Sequence, residues 1–191
     1  MLKDYPKEVI LKDGTGVTLR PLKTGDEDLL FKMFNRLSKD DRWFLDHDVG
    51  DSRMIEGWVK NADLDKVISI VAVLEGQIIA HATLIRKYPG AKRHRGKIRI
   101  SVDPSFRGKH LATWMLLDLI NLAMAMEVET LIMEMVEERD SSLIRSVKKL
   151  DFSEGAVLKD ALKDRGGTPH NLVIMVKRLQ RLWDDIDAVS K

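Results

Sequence analysis

The chain has 191 residues, enough for one domain with a substantial core and no covalent or metal staple. Its 32 basic and 30 acidic side chains nearly cancel to a net charge of +2, so no global field recruits a polyanion such as nucleic acid. Cysteine is absent, which excludes a disulfide framework, a thiolate metal site and a cysteine nucleophile, and fits a reducing cytoplasm. The polar opening MLKDYPKEVI does not read as a secretion signal, and no apolar run approaches the ~18 to 20 residues of a membrane span.

In chain order, Val9–Leu11 and Val17–Leu19 are short β-prone runs around an Asp-Gly turn, an opening hairpin within residues 9–20. Thr24-Gly-Asp-Glu27 has capping-box spacing, and Leu29, Leu30, Met33, Phe34 and Leu37 recur at helical period behind it. The charged stretch Asp40–Asp51 reads as a linker to a second helix, Ser52–Lys60, with Ile55, Trp58 and Val59 inward. Val67–Leu74 and Gln77–Ile85 are β-branched runs joined by Glu75-Gly76, a hairpin. In the next strand, Lys97–Val102, polar Lys97, Arg99 and Ser101 alternate with apolar Ile98, Ile100 and Val102, so one face becomes a candidate cleft wall. A long helix is expected from Arg107 to about Met126, then a strand at Thr130–Val136, a helix at Asp140–Leu150, and closing strands at Phe152–Leu162 and Leu172–Leu179.

That order implies a mixed α/β (α+β) sandwich, one sheet with helices on both faces. A single domain is expected over residues 1–179. Residues 180–191 are expected to form a short amphipathic helix whose stripe, Leu179, Leu182, Trp183, Ile186 and Val189, suits docking within the chain or onto a second copy in a homodimer.

The stretch from Ile98 to Ala112 runs from a strand through a short loop into a helix. The first amides of such a helix lack intrahelical partners and lie at the positive end of its dipole, which makes an anion site without a metal. Gly108 permits close backbone approach to phosphate, while Arg107 and Lys109 add positive charge.

Here the sequence resembles the GNAT superfamily of N-acetyltransferases. The family pattern Val-x-Pro-x-x-Arg-Gly-x-Gly-x-Gly/Ala appears as Val102-Asp-Pro104-Ser-Phe-Arg107-Gly108-Lys-His110-Leu-Ala112. Asp13-Gly-Thr-Gly-Val-Thr-Leu-Arg-Pro-Leu with Gly25-Asp-Glu-Asp is similar to GNAT domains related to bacterial protein-lysine acetyltransferases, and Arg145–Phe152 is similar to the family's helix ending in Lys-Leu-Gly-Phe. The resemblance implies a mostly antiparallel central sheet of about seven strands. It also implies acetyl-CoA as co-substrate, with its pantetheine arm along Ile100, Ser101 and Val102, and its pyrophosphate on the backbone of Arg107, Gly108, Lys109, His110, Leu111, Ala112 and Thr113. The Val102 amide becomes the donor to the thioester oxygen.

The sequence departs from the family in four places. His110 replaces the central glycine of the phosphate loop, Val147 stands where many members carry a tyrosine acid, Asp140 replaces an asparagine, and Lys97 falls where lysine-acetyltransferase relatives carry a glutamate. Glu134 and His94 are the replacement candidates for the base, against ordinary readings as an ion-paired strand residue and a surface histidine. Lys97 and Arg99, side by side on the polar face, become candidate acceptor-binding residues for a carboxylate or phosphate. His47, His81 and His170 have no metal-ligand spacing, so no metal is expected. The expected function is acyl transfer from acyl-CoA to a primary amine of a small molecule or protein, with no nucleic-acid or membrane partner. The alternative is a GNAT fold that holds acyl-CoA as a sensor without turnover.

Overall fold

The computed structural model describes residues 2–60, 65–86 and 89–179, and the eight strands among them form one sheet, against about seven expected. In sequence they are β1 Lys7–Ile10, β2 Gly16–Pro21, β3 Val67–Leu74, β4 Gln77–Ile85, β5 Arg95–Val102, β6 Thr130–Val136, β7 Ser153–Lys163 and β8 Pro169–Arg178. In space they run β1-β2-β3-β4-β5-β6-β8-β7. Every neighbouring pair is antiparallel except β5 and β6. The turns follow the local chemistry: Glu75 and Gly76 both take positive φ, 48° and 76°, the backbone that a two-residue β-hairpin needs.

The helices are α1 Glu27–Arg36, α2 Lys39–Trp43, α3 Ser52–Lys60, α4 Leu111–Ala125 and α5 Ser141–Lys148. Three boundaries correct the sequence reading. Thr24 does not cap α1. The N-cap is Asp26, whose carboxylate instead accepts from Arg20 (2.6 and 2.8 Å) and from the Lys23 amide (3.0 Å). The stretch expected as a linker holds α2, capped by Ser38 accepting from the Asp41 amide at 2.9 Å. The long helix begins at Leu111 rather than Arg107, because Gly108 and His110 take φ of 73° and 67°, which a right-handed helix cannot include. The stripe expected beyond Leu179 lies outside the described residues.

Each face of the sheet buries its own core. On one side α4 and α5 bring Met115, Leu119, Ala123 and Val147 onto Ile70, Ala82, Leu84, Ile98, Leu131 and Met175. On the other, α1 and α3 bring Leu30, Met33, Phe34 and Ile55 onto Val71 and Ile78. The alternation along β3 divides its residues between the two, Ile70 and Ala72 to the first core and Val71 to the second. Among the described residues, no helix is long and apolar enough to cross a membrane. Strand β7 is the sheet's far edge, exposed along almost its whole length, with its register against β8 shifting twice.

The feature that shapes the site is the junction of β5 and β6. Their parallel ladder holds only Arg95, Gly96 and Lys97 against Thr130, Leu131 and Ile132. Gly96 is the middle of these, and a Cβ there would lie 2.8 Å from Leu84 Cδ1 and 3.3 Å from side-chain atoms of Leu131 and Val128. Glycine is therefore what lets the strands touch over that packed layer. Gly96→Val should overpack the junction and lower unfolding free energy by about 1–3 kcal/mol, read by urea denaturation. An unchanged midpoint would show that the junction has room to spare.

Candidate functional site

Beyond Lys97 the two parallel strands part. β5 stays paired with β4 as far as Val102, opposite Ala80, and β6 stays paired with β8 as far as Val136, opposite Leu172. The Asp103 amide donates to Ile79 O at 2.9 Å. Alternation along an antiparallel ladder then turns the backbone groups of Lys97, Arg99 and Ser101 toward β4, and those of Ile98, Ile100 and Val102 toward β6. Ile100 thus presents its N–H and C=O groups, and Val102 its N–H, to an open wedge past the last β6 pair, while the Val102 carbonyl accepts from Arg107 Nε at 3.3 Å.

At the open end of the wedge the chain turns into α4. Asp103 anchors the turn: its buried carboxylate accepts from the Ser105 amide (2.9 Å) and pairs with Arg36 of α1, which also donates to Ile78 O at 2.6 Å. Burial works against the charge on Asp103, but the bonds from Arg36 and Ser105 outweigh it and hold the carboxyl below its ordinary value. The first α-helical bond, from the Trp114 amide to His110 O (3.1 Å), leaves the amides of Leu111, Ala112 and Thr113 without helical partners. Gly108 is exposed with nothing within 4 Å of where a Cβ would be, so the loop backbone is open to an anion. The cations beside it already have partners, Arg107 with Asp41 and Lys109 with Asp13, both at 2.9 Å. His110 carries its side chain on a left-handed backbone, a conformation that costs a non-glycine residue ~1 kcal/mol or more.

A cleft of about 420 Å³ passes through the wedge and reaches both faces. Its α5 side is mostly apolar, with Ile98, Ile100, Met133, Met135 and Leu143, and carries Asp140 at the helix N-cap. The opposite side takes Ser101, Arg99 and Lys97 from β5, with His81, Thr83 and Ile85 beside them on β4. Glu134 of β6 faces this wall and holds Lys97 Nζ at 2.6 Å. Asp46, from the loop between α2 and α3, pairs with Arg99 and stands 3.5 Å from Lys97.

The expected residues are therefore brought together: Ile100, Ser101, Lys97, Arg99 and Glu134 line one cleft, and Val102 leads into the turn carrying Arg107 to Thr113. His94 is not among them. It precedes β5 on the closed side of the junction, where its carbonyl accepts from the Glu129 and Thr130 amides at 2.9 and 3.2 Å. Val147 is wholly buried in the core, so it offers no acid to the cleft. Asp140 is held by the Val136 amide (2.8 Å) and Arg139 (2.9 Å), which offset its charge. Among the described residues no cluster of His, Cys, Asp or Glu could hold a metal.

Among the cleft residues that escaped the sequence reading are Asp46, Trp58 in its lining role, and His81. The His81 ring lies against Trp58 (centroids 6.3 Å, stacked) and Phe34 (5.7 Å, edge-on), 6% exposed, with Nε2 unpartnered. A polar His81 and Thr83 alternating with Ala80, Ala82 and Leu84 was the available signal. Burial pushes the imidazole down to about 4, so the folded protein keeps it neutral. As pH falls from about 6.5 toward 4, the unfolded chain takes up a proton that the folded chain refuses, and stability drops. The wild-type protein should lose about 2 kcal/mol more than His81→Phe between pH 7 and pH 4.5, measured by urea unfolding of both. Equal losses would mean that His81 titrates freely in the fold.

Comparison with known proteins agrees with this geometry. The Acetyltransferase (GNAT) family matches over residues 31–152. Among solved structures, the GNAT domain of S. lividans PAT superposes with a TM-score of 0.75 at 17% identity, covering 93% of this chain and 98% of its own. An N-acetyltransferase from Staphylococcus aureus Mu50 gives a TM-score of 0.75 at 19% identity, with 87% and 100% covered. The protein yncA of Salmonella typhimurium, solved with its cofactor acetyl-CoA, gives 0.74 at 19%, with 87% and 96% covered. No curated protein matches the sequence. With well over half of its length inside the family match and the parted strands above a strand-to-helix turn, the chain belongs to the GNAT family of acetyltransferases.

Proposed function

We propose that the chain transfers an acetyl or other short acyl group from acyl-CoA to a primary amine of a small molecule or protein, in the cytoplasm. The observation that carries this reading is the edge of β5 at Ile100 and Val102, which has no strand partner on the β6 side and leads directly to the open amides of the turn into α4. The residues fit the donor: Gly108 leaves its approach clear, and the amides from Gly108 to Thr113 would hold pyrophosphate. Ile100 and Val102 would pair with the amide groups of the pantetheine arm. In the chemical step, the amine nitrogen bonds to the acyl carbon and the carbon–sulfur bond breaks. The Val102 N–H would donate to the acyl oxygen as negative charge develops on it, an interaction typically worth ~3 kcal/mol of barrier. Glu134 would carry the amine's proton toward solvent, and Lys97 and Arg99 form the wall on which the acceptor rests.

A non-catalytic acyl-CoA sensor is the second reading, favoured by the burial of Val147, which leaves that position without a proton donor for the departing thiolate. Thiol release from acetyl-CoA against a panel of polyamines, amino acids and peptides separates the two: turnover supports the enzyme, binding alone the sensor. Calorimetry should show acetyl-CoA binding to the wild type. In Gly108→Phe it should be lost with the fold intact, because the new side chain adds strain at positive φ and fills the loop. No heat with wild type at millimolar acetyl-CoA would overturn both readings. Glu134→Gln should lower kcat by about 10²-fold, the usual scale for a lost proton acceptor. An unchanged kcat and pH–rate profile would take that role from Glu134.

A further inference from the structure

The acceptor wall is built around a charge balance in which one member comes from an exposed loop. Lys97 and Arg99 project from the same face of β5, with side chains only 13% and 28% exposed. Two partly buried cations on one wall favour anions beside them. Glu134, on the facing strand β6, supplies one and pairs with Lys97. The other is Asp46, which comes from the loop between α2 and α3 and is 51% exposed. Three members of the cluster stand on sheet strands, and the fourth is on a loop at the mouth.

Without Asp46 the cluster holds two positive charges against one, and the surplus belongs to Arg99. Burial in the wall already pushes the Arg99 guanidinium below its ordinary value, with Glu134 opposing that shift. A planar, partly dehydrated guanidinium is a matched receptor for a carboxylate, through paired charge-assisted hydrogen bonds. Ser101 is two residues farther along β5, on the order of 7 Å, and next to the Val102 amide assigned above to the acyl oxygen. A carboxylate seated on Arg99 therefore leaves an amine a few bonds away within reach of the acyl group.

We propose that Asp46 occupies, in the free protein, the place of the acceptor's own carboxylate. The acceptor is then a small amino carboxylic acid that displaces Asp46 and pairs with Arg99. This rests on the acyl-transfer reading and names its substrate class. The competing role for Asp46, attraction of a polycationic amine, predicts the opposite response to loss of its charge.

The test compares amines that differ only in the carboxylate: glycine, β-alanine and 4-aminobutyrate against methylamine, ethylamine and propylamine, with spermidine as the polycation. Thiol release from acetyl-CoA is followed for wild type, Asp46→Asn and Asp46→Ala. The wild type should favour the carboxylate member of at least one pair. Both variants should lower KM for that acid by about tenfold, the scale of freeing a partly buried guanidinium for one more ion pair, with no comparable fall in KM for the carboxylate-free amines. Calorimetry of the three acids in the presence of CoA gives a readout independent of turnover, with both variants binding more tightly than wild type. Better turnover of spermidine or the simple amines, a raised KM in the variants, or no tighter binding of any acid would each overturn the proposal. Acetyl-CoA binding and turnover on some other amine would still leave the acetyltransferase standing.

Discussion

Everything in the candidate site follows from how briefly β5 and β6 touch. Parallel strands in a sheet ordinarily share a ladder along their common length, and here the ladder stops after three residue pairs. The strands then serve different masters, β5 held by β4 and β6 by β8. A backbone edge in the middle of a sheet is normally satisfied by its neighbour. The parting of the strands leaves Ile100 and Val102 short of one, and it opens a passage between two cores that the sheet otherwise separates. The cleft, its two dissimilar walls and the exposed amides of the turn are all consequences of that single divergence.

The turn into α4 is then fixed from outside itself. Arg36 of α1 holds Asp103, Asp41 of α2 holds Arg107, and Asp13 of the β1–β2 turn holds Lys109. The Lys12 amide adds a bond to Lys109 O at 3.1 Å. Lysine at position 109 and the Thr15 amide in turn hold the Asp13 carboxyl down to about 2. The N-terminal elements thus act as a brace for the anion site, and most of its fixed positive charge is already spoken for. The free amides are left as the main donors, which suits a ligand recognised through phosphate geometry rather than net charge.

Much of the fold was legible because it is written in local patterns. The hairpins at 75–76 and in residues 9–20, the polar face of β5 and the strand–turn–helix at 98–112 all show within short stretches of sequence. What escaped depends on contacts that no local pattern records. Thr24 loses the cap because Asp26 is drawn to Arg20 on the preceding strand. The start of α4 shifts because His110 adopts a backbone usually left to glycine. Asp46 meets Arg99 across 53 residues of chain, and His81 meets Trp58 across 23, so neither partner is visible from the other's neighbourhood.

The outer edge of the sheet carries a different lesson. Strand β7 runs eleven residues with one side unpaired, and it exposes Val157 and Leu158, the composition and geometry on which a second chain could add a strand and start a growing stack. Its shifts in register between Glu154 and Ala156, and between Leu158 and Leu162, kink that edge, and Lys159, Asp160 and Lys163 place charge along it. The strand brings Leu162 to the cleft yet is too irregular to serve as a template, so the edge that bounds the β8 side of the site also resists the addition of a further strand.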